Sequence, residues 1–346
     1  MNKKIASLVL CFVLIGLGFS AGSASAAPKH EEVTLTLYTM PSGGIVYTLG
    51  FALAELINKN SEWLRCNAVE TASTFENLQY IVGHPDKKNV YLGSAVTIGV
   101  DQLAMAMKPY DKIGPWKKTK WVSLMASIGS PQITLDPNIK TWRDLDGKTY
   151  GLDTMGSTNQ FMQEWLMDYA WKDRNKVKLT YGNTANIAVD RLLDGTIDIT
   201  WTGAVMLGAG EYKDWKPMPP FERLLAARQV YIMELDEKDI AIAREKTGAE
   251  SLALIGGEAK EIGKSKVPQW KGLLNSLGWL VHEDMDDEIV TEIIRVIYEN
   301  ADQFVNYHAV GKGITKETLG QLPVPRDSYH PAVIKFLEAK GQKVGR

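Results

Sequence analysis

Three short segments combine small residues with hydroxyls directly ahead of apolar helical patterns: Ser42-Gly43-Gly44, Ala72-Ser73-Thr74 and Gly156-Ser157-Thr158-Asn159. Residues of this kind hold an anion without lysine or arginine. The first turn of a helix carries unpaired N–H donors, its dipole favours negative charge, and glycine lets a ligand approach the backbone. A carboxylate can then take N–H and O–H hydrogen bonds from all three segments. Taken singly, each is also an ordinary N-cap or turn; the recurrence favours binding. A nucleotide-hydrolysing phosphate loop needs Gly-Lys-Ser/Thr, which is absent.

Tyr47, Trp201 and Trp279 are candidate walls for such a site, with Thr202 beside Trp201; the alternative is that they pack a core or hinge. Glu70 is either an acceptor for a ligand hydroxyl or ammonium or a solvated strand end, because a buried unpaired carboxylate is costly. The acidic run HEDMDDE (282–288) opens a helix, where acids suit the dipole and Asp284 is the expected N-cap. It lacks the alternating oxygen ligands and turn glycine of a calcium loop, so no metal is expected. His30, His84, His282, His308 and His330 form no pair at metal-ligand spacing, and none belongs to a nucleophile motif. Cys66 lies in a strand pattern and reads as buried and inert. No catalytic constellation and no cofactor motif emerges, so the chain reads as a binder rather than an enzyme.

The elements that carry these residues alternate between short β-rich runs and helical patterns. VTLTLYT (33–39), WLRCNAVE (63–70) and NVYLGS (89–94) read as strands, each followed by a helix. This is the winding of an open, mostly parallel sheet whose ligands sit beyond the strands' carboxyl ends. WVSLMASI and QITL flank a crossover near residues 128–131. A second strand–helix series follows, in which Ile187, Leu192 and Leu193 are expected to share a buried stripe. TIDITWTGAV reads as a strand running into a small-residue helix start, and the segment from about 278 as a strand and a long helix. The reading is α/β with two lobes, each a doubly wound mixed sheet: residues 27–127 in lobe 1, 128–275 in lobe 2, and 276–346 returning to lobe 1.

Lys3 and Lys4, the apolar run Ile5–Phe19 and the small residues Ala24-Ser25-Ala26 form the three-part pattern of a secretory signal, residues 1–26, cleaved near Ala26. That places the mature chain, about 320 residues and enough for two domains, in the periplasm. Losing two lysines moves the formal net charge from −2 to about −4. No basic face suggests nucleic acid. Cys66 remains as the single cysteine, so no internal disulfide is possible. A monomer is expected.

The order of motifs resembles the solute-binding proteins of the TAXI branch of TRAP transporters. SGGIVYTLGFALAELINKN is similar to that family's Gly-Gly-x-x-Tyr helix opening, and ETASTFENLQYI to its second helix start, closest at Glu76-Asn77-Leu78. IKTWRDLDGKTYGLDTMGST, LLDGTIDI, YENADQF and LPVPRDSYHPAVIKFLEAKG complete the sequence of matches over nearly the whole mature chain. Six weak motifs in order make a strong signal. The resemblance implies a type II periplasmic-binding-protein fold that closes on a small organic acid in a cleft and presents it to a TRAP transporter membrane subunit. A sensory module docking on a receptor kinase or chemoreceptor, and a periplasmic enzyme on the same fold, are the alternatives.

The chain departs from the family where the ligand is expected. Gly93-Ser94-Ala95 replaces a Gln-Ser-Asp stretch, which makes Ser94 a candidate contact. Val46 replaces one of two tyrosines and leaves Tyr47, and Glu70 stands in a normally neutral segment. The implied site is Ser42, Gly43, Gly44, Tyr47, Glu70, Ser73, Thr74, Ser94, Gly156, Ser157, Thr158, Asn159, Trp201 and Thr202.

Overall fold

The structure, a computed structural model, describes residues 30–42, 44–108, 110–171, 176–208 and 211–346. The expected signal segment and Gly43 lie outside the described residues. The chain begins β1 (Val33–Tyr38), α1 (Ile45–Asn60), β2 (Leu64–Val69), α2 (Thr74–Gly83), β3 (Tyr91–Val96), α3 (Thr97–Ala104) and the long β4 (Thr119–Ser130). After Pro131 come β5 (Gln132–Thr134), β6 (Thr149–Gly151), α4 (Thr158–Trp165), β7 (Lys178–Thr180), α5 (Ala185–Leu193) and β8 (Ile199–Trp201). Next are β9 (Ala204–Leu207), β10 (Tyr212–Pro217), α6 (Pro219–Ala227), β11 (Tyr231–Met233), α7 (Glu237–Thr247) and β12 (Leu254–Gly257). The hairpin β13 (Lys260–Ile262) and β14 (Ser265–Val267), the long β15 (Trp270–His282), α8 (Asp287–Glu299) and α9 (Pro331–Ala339) finish the fold.

Two main sheets result. One has eight strands in the order β12-β10-β9-β4-β15-β3-β1-β2, the other five in the order β11-β5-β8-β6-β7. β1 pairs in parallel with β2 and β3, and β6 with β7 and β8, so both sheets contain wound strand–helix units. β4 runs antiparallel along most of β15, then Pro131 interrupts the ladder, since proline lacks the N–H that pairing needs, and β5 joins the second sheet. The segment 128–275 supplies strands to both sheets, because β9, β10 and β12 extend the first.

Helix burial follows spacing. Leu49, Leu53, Leu56 and Ile57 form one stripe of α1 over Leu35 and Leu37; Ile289, Ile293, Ile294 and Ile297 do the same for α8. Each such side chain removed from water contributes about 1.5–3 kcal/mol. Two expectations need correction. On α5 the buried residues are Ala188, Val189 and Leu192, while Ile187 is 45% exposed; it precedes that stripe and falls on another face. Residues 204–207 form a strand, not a helix start. Val205, Met206 and Leu207 are all buried, and β9 is held on both sides by β4 and β10, so two ladders override the small-residue signal.

Candidate functional site

At the first sheet's carboxyl edge a single asparagine gathers three strand ends. Asn77 of α2, fully buried, donates to the carbonyls of Thr39 and Ser94, the latter at 2.8 Å, and its Oδ1 accepts from the Thr71 hydroxyl at 2.6 Å. Thr71 also faces the Thr39 carbonyl, at 2.8 Å, and the Thr39 hydroxyl donates to the Val69 carbonyl at 3.0 Å. Buried polar groups need partners, and here each one also fixes a loop that leaves a strand toward the edge where ligands bind.

The two predicted helix starts of this sheet are tied together by the chain's own acids. Glu70 Oε1 accepts from the Ser42 N–H at 2.7 Å, and the side chain is exposed just beyond the end of β2. Ser73 is the N-cap of α2, accepting from the Glu76 N–H at 3.4 Å, and Glu76 returns to the Ala72 N–H at 2.7 Å. Gly44 is the N-cap of α1 with no side-chain cap. The Thr74 methyl meets α3 at Gly99, where a Cβ would stand 3.0 Å from it. Tyr47 packs on Phe51 of its own helix, ring centroids 4.4 Å apart.

The second sheet repeats the device. Asn183, fully buried, donates to the carbonyls of Leu152 and Thr180 at 2.8 and 2.9 Å, while its Oδ1 accepts from Arg191 at 2.7 Å. Trp201 Nε1 donates to the Asn183 carbonyl at 3.1 Å, which fixes the indole at the end of β8. Behind this edge Gln132, Tyr150 and Gln163 form a buried network: the Tyr150 hydroxyl and Gln163 Nε2 both donate to Gln132 Oε1, and Gln163 Oε1 accepts from the Asp153 N–H at 3.3 Å. The loop before α4 is thereby anchored from below.

Ser157 caps α4, accepting from the Gln160 N–H at 3.1 Å, and Gly156, at φ +89°, donates its N–H to Gln160 Oε1 at 3.0 Å. A side chain with a Cβ rarely adopts that φ, so glycine is required at this turn. Among the described residues, the N–H groups of Thr158 and Asn159 have no partner. Thr158 Oγ1 donates to Asn275 Oδ1 on β15 at 3.1 Å, which joins the α4 start to the strand shared with β3 and β4. Asn159 is 4% exposed and neither side-chain amide atom is hydrogen-bonded. Asp153, 9% exposed, accepts from the Thr154 N–H at 2.6 Å. Burial raises its carboxyl above the usual range; the Thr154 N–H and the nearby Ser157 and Asn159 side chains oppose this only in part.

Register aligns further polar residues. Leu277 pairs with Val96, so the next residue on each chain is Ser276 and Thr97; both side-chain oxygens are buried without partners. Gly151 pairs with Thr200, which puts Asp153 and Thr202 two residues on at the edges of neighbouring parallel strands. Thr202 is fully buried and its hydroxyl also lacks a partner. Asp153, Asn159, Thr158 and Asn275 thus gather at the α4 start as a polar seam that contains no lysine or arginine. A cavity of about 540 Å³ lies elsewhere, beside Lys140, Glu237, Trp270 and Lys271, and none of the predicted residues lines it.

The model of the NMT1-like family matches residues 37–341, nearly all of the described chain. This chain belongs to the NMT1-like family. No curated protein matches it. Among solved structures, a TctC solute-binding protein from Polaromonas is similar at a TM-score of 0.50 and 12% identity, over 82% of this chain and 87% of that one. The aliphatic sulphonate binding protein SsuA from Escherichia coli gives 0.45 and 14%, over 89% and 84%. MatC from Rhodopseudomonas palustris, solved with malate, gives 0.46 and 11%, over 90% and 97%. The architecture is the mixed α/β type II periplasmic-binding-protein fold.

In this NMT1-like chain several residues singled out by the sequence serve the interior. Ser94 is fully buried and pairs in register with Trp279, which in turn pairs with Ser123; Trp279 packs on Phe304 at 5.5 Å in the first sheet's core. Asp284 is not the α8 N-cap. His282 Nδ1 accepts its N–H at 3.1 Å in a preceding turn, and the cap is Asp286, which exchanges hydrogen bonds with Asn89. Burial holds His282 and His330 below the ordinary histidine value and pushes the Cys66 thiol up to about 12. Among the described residues no group of three or more His, Cys, Asp or Glu could hold a metal, and no helix is long and apolar enough to cross a membrane.

Asp153 and Asn275 went unrecognised in the sequence. The one available signal was the polar pair Asn275-Ser276 interrupting the apolar run GLLNSLGWLV.

Proposed function

We propose that this chain is an extracytoplasmic solute receptor that captures a small organic acid by closure of two lobes over the seam, and that it serves a TRAP-type transporter membrane subunit. The observation that carries the reading is the α4 start. It offers two unpartnered backbone N–H groups at the carboxyl edge of a wound sheet, beside the Thr158 hydroxyl that bonds to Asn275 on a strand of the other sheet. Helix starts at such edges accept carboxylates by partial charge and hydrogen bonding alone. Membership of the NMT1-like family, the type II fold and the motif order support the receptor role. The sequence pattern of residues 1–26 supports export to the periplasm.

A thermal-shift screen of the mature chain, stripped by unfolding and refolding, tests this. The panel holds amino acids, mono- and dicarboxylates, sugar acids and neutral sugars. A ligand at a hundred times its Kd stabilises the fold by about 2.7 kcal/mol, a rise of several degrees. Thr158→Val, which removes the hydroxyl and keeps the shape, should weaken the best carboxylate by roughly 1–2 kcal/mol. Shifts from neutral sugars alone would sink the acid reading. No shift at all, with no small molecule released when the native protein is denatured, would sink the receptor reading.

A further inference from the structure

We infer that the chain holds a second ligand site, apart from the seam, at the mouth of a closed ring of strands, where Lys213 takes the anionic end of a short aliphatic chain. The inference does not depend on the receptor reading. β12 pairs with β10 on one side and with β15 on the other, so β12, β10, β9, β4 and β15 close on one another. Met206, Trp215, Ile255, Trp270 and Leu274, all buried, belong to one cluster inside this ring. A Cβ at Gly129 of β4 would meet Trp270, Met206 and Ile255 there, at 2.8, 3.0 and 3.1 Å. Lys213 lies two residues before Trp215 on β10 and so faces the same way. It pairs with Gly257, which pairs in turn with Trp270. A Cβ at Gly257 would collide with the Trp270 indole, whose buried Nε1–H has no partner. The row that carries Lys213 therefore also carries a buried donor with nothing to bond.

The surroundings of Lys213 decide what it takes. Its side chain is half-buried, and no acceptor among the described residues holds its ammonium. Neighbouring lysines differ: Lys271 pairs with Glu237 at 3.0 Å, and Lys260 with Asp214. Glu211 and Glu237, the two nearby acids, act on Lys271, whereas burial alone acts on Lys213 and holds its ammonium below the usual lysine value. An ammonium kept from water without an anion is costly and gains most from an opposite charge. Lys213 opens on a cavity of about 270 Å³ that is also lined by Leu254, Ile255 and Leu274. A bare inorganic ion would leave those aliphatic side chains uncovered. A short alkyl chain ending in a carboxylate or a sulfate ester satisfies the lysine and covers them, and the cavity, at the small end of ligand sites, sets the chain's length.

The test is calorimetry on the stripped mature protein with straight-chain carboxylates from acetate to octanoate, alkyl sulfates of matching length, and the corresponding alcohols. Affinity in an anionic series should rise about fourfold per methylene until the cavity is full. The matched alcohols should bind about tenfold or more weakly, and the tighter anionic series names the headgroup. Lys213→Met, which keeps the apolar stem and removes the charge, should lose the best anion by about tenfold or more. Its melting temperature without ligand should not fall, since a partly buried unpaired charge has been removed. If Lys213→Met does not fold, labelling of the wild type with an amine-reactive ester and peptide mapping replaces it. The best anion should then slow acylation of Lys213 and leave the exposed Lys238 unaffected. Affinity that does not grow with chain length overturns the inference, as does the absence of binding by either anionic series. Full binding by a folded Lys213→Met, or labelling of Lys213 at an unchanged rate, places the anion elsewhere and overturns it too. None of these results touches the receptor reading, which stands or falls on the seam.

Discussion

Asn77 and Asn183 are buried amides that replace, at the two sheet edges, the backbone pairing lost where strands end. Each holds loops that leave different strands, so a substitution releases several groups together rather than one hydrogen bond. Asn77→Ala should destabilise the chain by about 2–4 kcal/mol, the range for a buried polar network that loses its centre. A urea titration checks this: the midpoint should fall with the slope unchanged, while Gln79→Ala, at an exposed position on the same helix, should leave it within about 0.5 kcal/mol. At this scale the sequence was partly legible. Glu76-Asn77-Leu78 stood out as a motif, but a motif does not say that its asparagine is a staple rather than a ligand contact. Glu70 was legible as an anomaly, not as the acceptor for Ser42, because that bond joins residues far apart in sequence through two parallel strands.

At the scale of elements, α4 is the instructive case. It runs only eight residues before the backbone widens into a π-type turn at Leu166–Ala170, too short to be stable from helix propensity alone. What holds it is burial of Met162 and Trp165, the reach of Gln163 into the Tyr150 network, and the Ser157 cap. Ser157→Ala should therefore cost about 0.5–2 kcal/mol of stability in the absence of any solute, and Ser73→Ala on α2 a similar amount. Both are measurable by denaturant unfolding of the stripped protein. An effect on affinity alone, with stability unchanged, would contradict the cap geometry. The strand–helix winding that sets these helix starts at one edge was legible, because period and apolar run length are local properties. The fate of residues 204–207 was not. A short run of small and apolar residues fits either element, and the two flanking strands that settle it come from residues 119–130 and 212–217.

The whole molecule adds a titration that links distant parts of the chain. Asp101 on α3 accepts from both the backbone N–H and the hydroxyl of Ser251, at 2.7 and 2.6 Å, across the gap between α3 and the segment leading into β12. Burial dominates, with the Glu250 carboxylate nearby adding to it; the Ser251 bonds and Arg346 oppose, and the carboxyl is pushed up to about 6 from an ordinary 3.8. The native state therefore holds a proton here between roughly pH 4 and pH 6 that the unfolded chain has lost. Stability from this site rises as pH falls through that window and is at its lowest, by the order of 1–3 kcal/mol, above it. His282 and His330 act in the opposite sense. Their native values lie below the ordinary 6.5, so the unfolded chain gains protons first and stability declines as pH drops past 6.5. The wild-type profile alone mixes these slopes, and the difference between wild type and Asp101→Asn separates them. That difference should shift in favour of the wild type as pH is lowered from 7 to 4, in unfolding free energies measured at half-unit steps. A flat difference would mean that Asp101 is ionised at its usual pH and that the Ser251 bonds outweigh its burial.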